Sequence, residues 1–496
     1  MLAWLAALIP ALPLAAALWL GAAILFGQAS GEAHERRTSR MVLAALGASF
    51  ASALLLAVAR FTGELPDQVA FGQWLSSGNY RVDLLFATDS LSLTLAVLAS
   101  LLCLLVARFA VNYMHREAGF HRLFMVLSLF AAAMGLLVTG GNAVLTFIGW
   151  EIAGLCSYLL ICFFQDRTTA AANATRVFVT NRIGDAGFLL GIGLAFYWLG
   201  SADWAAINAK ATGLTATQTG ALSACFLLAA ITKSAQVPLA PWLARAMEGP
   251  TPSSALFYGA VMVHAGVYLV LRLQPLFEQS PPLMAIMALI GLATALYGFV
   301  AGLAQTDIKS ALIFSTTGQV GLMFLACGLG FWRWALLHLC CHAVFRAYQF
   351  LSAPSILHQL RERTRPVPEW LARRSRLYAA AFQRFWLEDA ANWGVVQPVR
   401  WLARQANHFD AAVVDRATGL PAPTVQALSS LAQWEERQLG AGRFLERAPD
   451  ARDQGQGVVG RLTEWVASIF HRFEEQMVFK AVGQGLVTTS HRLGTR

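Results

Sequence analysis

Charge is what this sequence has least of. Across 496 residues only 13% are Asp, Glu, Lys or Arg, against the roughly 25% a soluble domain uses to cover its surface. With 57% hydrophobic residues, the deficit makes lipid the main solvent and the fold a bundle of helices in a bilayer. Lysine is nearly absent, four residues against thirty-three arginines. Cysteine is sparse and unpatterned. The seven residues, Cys103, Cys156, Cys162, Cys225, Cys327, Cys340 and Cys341, lie mostly in apolar runs, and no CxxC pair occurs. That excludes a cysteine cluster site and a disulfide framework. No Rossmann glycine fingerprint is present, so no redox activity of the chain itself is indicated. The net charge of +9 does not mark a nucleic-acid binder. The arginines sit in loops and in the C-terminal third, as the cytoplasmic-side bias of membrane proteins requires.

What is present is a succession of apolar runs long enough to span. They cover about 2–26, 41–59, 90–111, 122–139, 142–164, 175–199, 221–243, 253–275, 283–304, 310–330 and 332–353, which predicts eleven crossings. The first, Leu2 to Phe26, lacks a basic n-region and is too long for a cleaved signal, so it is expected to be retained. Arginines in four connections (Arg36, Arg37 and Arg40; Arg116 and Arg122; Arg167 and Arg176; Arg361, Arg363 and Arg365) fall on one side if the N-terminus is outside and the tail cytoplasmic. After Leu351 no stretch is apolar over the roughly 18 residues a span needs. About half of the chain's charged residues lie beyond residue 360, in segments such as Pro398–Asp410 and Val459–Phe473 that mix charged and apolar residues at helical spacing. These read as amphipathic helices lying on the membrane or on a partner. The expected organisation is therefore N-terminal transmembrane helices over 1–120, a repeat over 121–280, a partial second repeat over 281–355, and a helical tail on the cytoplasmic side over 356–496.

Charges inside spans are costly and are functional candidates by default. Glu151 stands mid-span in Phe147-Ile-Gly-Trp-Glu-Ile-Ala-Gly154. Two of the four lysines, Lys233 and Lys309, sit in or beside spans. A buried lysine can give up its proton where arginine stays charged. Pro238 and Pro241 follow Lys233 and interrupt the seventh span, as in helices that line a wet cavity. His338, His342 and Arg346 share one helical face at a spacing of four and suit a proton relay. A metal site is the weaker rival, since no carboxylate accompanies the pair. His264 is a fourth candidate, with a core histidine as the plain alternative. Arg182 and Asp185, three apart, are expected to form an intramembrane ion pair.

Phe147–Tyr158, Asn181–Phe188, Lys233–Pro238 with Pro250-Thr-Pro-Ser-Ser-Ala255, and Gln305 to Lys309 through Gln319 resemble the antiporter-like subunits of respiratory complex I, above all subunit 5 or L, and the Mrp cation/proton antiporters. The resemblance spans about residues 80–355, with an echo in Phe385-Trp-Leu-Glu-Asp-Ala-Ala-Asn-Trp393 of the stretch leading into that subunit's lateral helix. It implies an all-α polytopic fold of two inverted five-helix repeats, each with a broken helix. It also implies a relay in which Glu151 pairs with Lys233 under the influence of Asp185, while Lys309, His338 and His342 belong to a central hydrophilic axis. Three departures stand out. Tyr258 occupies a position where such subunits place a histidine, with His264 six residues on. Arg346 replaces a titratable lysine. No second broken helix with its exit lysine follows the eleventh span.

The departures resemble more closely the membrane subunits of bacterial dissolved-inorganic-carbon accumulation (Dab) complexes. That likeness implies an inner-membrane subunit whose proton flux drives CO2 hydration by a large, soluble, zinc-containing, carbonic-anhydrase-like partner. Zinc is then expected in the partner and no cofactor in this chain; the other contacts are membrane lipids, and nucleic acid is not expected. The competing expectations are a pumping subunit of complex I, a related hydrogenase or an Mrp assembly, and a membrane scaffold for a soluble enzyme. A lysine-based relay favours H+ over Na+, which prefers oxygen ligands.

Overall fold

The computed structural model describes residues 2–353 and 367–414, apart from positions 64, 79, 260, 261 and 306. Those residues are mostly helical. The helices are α1 (Leu2–Leu25), α2 (Glu32–Phe61), α3 (Ser90–Tyr113), α4 (Phe120–Thr139), α5 (Ala143–Ile161), α6 (Thr168–Leu199), α7 (Trp204–Lys210), α8 (Ala216–Lys233), α9 (Pro241–Arg245) and α10 (Thr251–Tyr258). They continue with α11 (Ala265–Arg272), α12 (Gln274–Glu278), α13 (Pro281–Leu303), α14 (Ile308–Gly328), α15 (Trp332–Ser352), α16 (Glu369–Ala372), α17 (Ser375–Phe382), α18 (Leu387–Ala391) and α19 (Gln397–Phe409). Local chemistry sets several starts. Asp89, Asn142 and Asp307 each accept a hydrogen bond from a backbone N–H three residues on, and Thr215 with Gln218 closes a capping box before α8.

Among the described residues, eight helices are long and apolar enough to cross a membrane: α1 to α6, α13 and α14. The other three of the eleven predicted crossings are built differently. The seventh is broken. α8 stops at Lys233, residues 234–240 run without helix, and α9 starts at Pro241. The eighth is broken too, between α10 and α11, where no proline announces it. The eleventh, α15, spans 21 residues but carries Arg333, His338, His342 and Arg346. The free backbone of the seventh-span break is partly satisfied by side chains. Val237 N–H donates to Thr294 Oγ1 at 2.9 Å, and Trp242 Nε1 donates to the carbonyl of Thr232 at 2.9 Å.

Small residues set the closest helix pair. On α13, Gly291 and Gly298 lie against the backbone of α14 at Gly321 and Gly318, so that a Cβ at any of these positions would collide with its neighbour. Such stripes let helices approach where lipid offers no hydrophobic drive. A cluster of aromatic rings fills the space between α5, α6 and α8. Phe188 makes edge contacts with Trp150 (centroids 5.2 Å apart) and Phe226 (5.5 Å), and Trp204 packs on Phe226.

One element departs from the all-helical expectation. Between α2 and α3 lies an antiparallel hairpin, β1 (Gln68–Ser77) and β2 (Tyr80–Ala87), which pairs Gln68 with Ala87 at one end and Ser77 with Tyr80 at the other, with register shifts between Ala70 and Gln73 and between Gln73 and Leu75. Phe71 anchors it between Trp4 of α1 and Phe86.

The chain divides into two compact units. One runs to Ala391 and the other begins at Asn392. The residues that composition assigns to the start of the tail thus belong to the bundle unit, where Leu371 and Ala381 are fully buried. In the second unit, α19 matches the amphipathic segment expected near Pro398–Asp410. Its partner segment Val459–Phe473 lies outside the described residues.

Candidate functional site

Two polar clusters occupy the interior. The first is a quartet of opposite charges on α5, α6 and the end of α8. Arg182 lies at its centre, on the same face of α6 as Asp185. One guanidinium nitrogen pairs with Asp185 Oδ2 at 2.8 Å and the other makes a close ion pair with Glu151 Oε2. Trp150 serves both signs. Its indole N–H donates to Asp185 Oδ1 at 2.6 Å, and its carbonyl accepts from Lys233 Nζ at 3.0 Å, with the ammonium 5.0 Å from the ring centroid. Lys233 is only 1% exposed and Asp185 5%. With all four groups ionised, two carboxylates face two cations and the set is neutral. The Glu151 and Arg182 side chains are half-buried, at 28% and 35% exposure, so the penalty of about 3–5 kcal/mol for stranding a buried charge bears on Lys233 and Asp185.

The direct Glu151–Lys233 pair implied by resemblance is replaced by an indirect one. Arg182 takes the Glu151 carboxylate, and Lys233 rests on Trp150 while remaining in the field of both Asp185 and Glu151. Gly154, one turn beyond Trp150, keeps this space open. A Cβ there would lie 3.2 Å from Arg182 Nη2 and 3.3 Å from Lys233 Nζ.

The second cluster joins α11's leading residue to α15. His264 Nε2 and His342 Nδ1 are 2.9 Å apart, and Arg346 Nε reaches His342 Nε2 at 3.4 Å. Arginine can only donate, so His342 Nε2 accepts, its hydrogen sits on Nδ1, and that hydrogen is offered to His264 Nε2. His264 then carries its own hydrogen on Nδ1, which is buried and has no hydrogen-bond partner among the described residues. Arg346 also donates to Ser315 Oγ at 3.0 Å, and His338 Nε2 meets Gln319 Oε1 at 2.8 Å. This is a one-way string of donors and acceptors, the wiring a proton hop needs. No group of three or more His, Cys, Asp or Glu side chains among the described residues is placed to hold a metal ion.

The clusters meet at the two broken helices. Ser234, directly after Lys233, donates to the carbonyl of Val263, directly before His264, at 2.6 Å. Lys309 stands apart. Its ammonium donates to Thr251 Oγ1 at 3.1 Å, and Thr251 in turn bonds the Tyr113 hydroxyl. Tyr258, at the position of the expected histidine, is fully buried. It donates to the Leu243 carbonyl at 2.8 Å and stacks on Phe350. Sequence reasoning singled out Glu151, Lys233, Asp185, His264, His338, His342 and Arg346, and the fold gathers them into these two clusters. It missed the hub role of Trp150, the Arg182–Glu151 pair and Ser315, which opens the short polar stretch Ser315-Thr316-Thr317 within the tenth apolar run.

Comparison with known proteins agrees with this architecture. Residues 140–384 match the family model of the NADH:quinone oxidoreductase/Mrp antiporter transmembrane region, and residues 74–124 match the N-terminal model of complex I chain 5. Together the two take in more than half of the chain. The chain is 40% identical over 368 residues to NAD(P)H-quinone oxidoreductase chain 5 of Synechocystis sp., covering 72% of this chain and 53% of that one. It is 40% identical over 359 residues to NADH-quinone oxidoreductase subunit L of Mycobacterium tuberculosis, covering 72% and 56%. The chain thus spans about half the length of these relatives. Among solved structures it resembles the Mrp complex from Dietzia sp. DQ12-45-1b, at 25% identity and a TM-score of 0.61, over 70% of this chain and 37% of that one. The fold also resembles an archaeal membrane-bound sulfane sulfur reductase, with a TM-score of 0.60 and 70% coverage of each chain. This chain is therefore a multi-pass membrane protein of the antiporter-like family to which NADH-quinone oxidoreductase subunit 5/L and the Mrp antiporters belong.

Proposed function

We propose that this chain carries protons through the bilayer as the energising membrane subunit of an inorganic-carbon uptake complex. The observation that carries the proton reading is the meeting of the charge quartet and the histidine string at Ser234–Val263, inside two interrupted helices. Lys233 exchanges its proton within the quartet, where Asp185 and Glu151 hold the compensating charge. His264 and His342 pass the proton on by exchanging ring hydrogens. Lys309 serves the same axis from the Thr251 side. The flux drives one-way hydration of CO2 by a soluble, zinc-containing, carbonic-anhydrase-like partner held by the tail on the cytoplasmic side, with the N-terminus outside.

Two observations favour the carbon reading over a standard pump. Where the resemblance leads one to expect a relay histidine, Tyr258 is a capped phenol, and where it leads one to expect a titratable lysine, Arg346 is a permanent cation. The names of the relatives favour the second reading, a pumping subunit of a quinone oxidoreductase or an Mrp-type antiporter. Purification of the native complex from its own membrane separates them. We expect mass spectrometry to find one large zinc-binding protein with this chain. Truncation near Arg361 is expected to leave an inserted bundle that no longer brings it down. A set of quinone-oxidoreductase subunits instead, or full recovery of the partner by the truncated bundle, contradicts the proposal.

A further inference from the structure

The segment after the last span returns to the bundle and grips the broken helix that carries Lys233. In the bundle unit, Arg384, Phe385 and Trp386 are three consecutive non-glycine residues in the left-handed region, with φ of 54°, 57° and 50°. Such residues are strained and persist only where their surroundings impose the conformation. Here they do so on two sides. The Arg384 guanidinium lies over the Phe314 ring of α14 at 5.4 Å, and Phe385 packs edge-on against Tyr297 of α13 at 6.0 Å. The tight turn aims the next helix, α18, so that Glu388 Oε2 accepts from Arg245 at 2.7 Å, with Arg384 a further 3.8 Å from the other carboxylate oxygen.

Arg245 is the last residue of α9, the short helix just beyond the break. Its other guanidinium nitrogen donates to Asn173 Oδ1 of α6 at 2.8 Å, and Asn173 donates to Glu248, which also pairs with Arg167. α9 is therefore clamped between the start of α6 and the segment after the spans. From α9 the connection to the proton site is short. Trp242, three residues before Arg245, donates its indole N–H to the carbonyl of Thr232, the residue preceding Lys233. Nothing else in the proposed relay explains why a strained turn should deliver a carboxylate to this arginine.

We propose that Glu388 is a positioning residue for Lys233. Its ion pair with Arg245 latches α9, and through Trp242 it fixes the end of α8 on which the Lys233 ammonium is mounted. Displacing the 384–391 segment releases the latch, so the state of the chain beyond it is felt at the lysine. This rests on the proton-carrying reading only for its consequence, not for the latch itself.

Two measurements on the full-length chain in its complex test it. In wild type, Glu388→Gln, Arg245→Glu and the swapped pair Arg245→Glu/Glu388→Arg, amide hydrogen exchange is followed across residues 230–248. We expect both single variants to exchange about tenfold faster there, the scale of losing a partly buried charged hydrogen bond, and the swap to restore protection. Proton uptake into vesicles should fall in the single variants with an altered pH profile, and both should recover in the swap. Wild-type exchange in Glu388→Gln, or a swap no better protected than Arg245→Glu, overturns the latch. A wild-type complex that carries no protons would overturn the proton reading while the exchange data still decide the latch.

Discussion

Trp150 shows how much of the site hangs on one residue that carries no charge. Its carbonyl takes the Lys233 ammonium, its indole N–H takes the Asp185 carboxylate, and its ring offers a face to the same ammonium. Lysine is thus held at bonding distance from a neutral oxygen, with the carboxylates engaged by Arg182. A proton can leave Lys233 without first breaking a direct ion pair. The arrangement leaves no slack around the two cations, and this is the role of Gly154. A methyl group at 3.2 and 3.3 Å from the two nitrogens requires both to give by a few tenths of an ångström, which changes the spacing of the two cations. We expect Gly154→Ala to insert normally and to lower proton uptake about tenfold, read by fluorescence quenching in vesicles at matched protein amounts. Undiminished uptake would mean that the spacing of Arg182 and Lys233 is not what the reaction uses. Glu151 and Lys233 were legible in the sequence because a charge in an apolar run has few explanations. Their partners were not, because the reach of Arg182 from Asp185 across to Glu151 and the seat of Lys233 on the Trp150 carbonyl are set by tertiary geometry.

The informative elements are the interrupted ones. Pro238 and Pro241 announce the break after Lys233, since proline removes a backbone donor and cannot continue the helix. The break between α10 and α11 has no such signal, and it places His264 at the head of α11 against His342, 78 positions away in sequence. The β1–β2 hairpin was also illegible. Its strands lie between two strong helical patterns and bury only part of their faces, so their alternation is faint. α15 is the opposite case, because the four-residue spacing of His338, His342 and Arg346 predicted a shared face. The structure adds the direction of the hydrogen bonds. Arg346 Nε occupies the acceptor nitrogen of His342 and so sets which tautomer points at His264. Arg346→Lys keeps a cation but loses the planar fork that also reaches Ser315. The expected outcome is a displaced pH profile of uptake with activity retained. An unchanged profile would show that the arginine does not act on the histidine electrostatically.

At the scale of the whole molecule, composition alone pointed to the solvent and the class, and of the eleven crossings the apolar runs predicted, eight are described helices long and apolar enough to span. It could not say that the first residues of the charged tail turn back onto the bundle. That contact depends on Phe385, Arg384 and Glu388 finding α13, α14 and α9, and no local pattern encodes it. Nor does any pattern in α19 alone distinguish lipid from a protein partner, since every described side chain on that helix is exposed. The proposed proton path through the interior begins in a neutral set of four charges. The direct measurement is acid-driven proton uptake into vesicles holding the full-length chain with its native partners, for wild type, Glu151→Gln and Lys233→Ala. Uptake is expected in wild type, and its loss in both variants at equal inserted amounts, since each removes one titratable member of the set and leaves its partners uncompensated. Wild-type uptake in Lys233→Ala would contradict it.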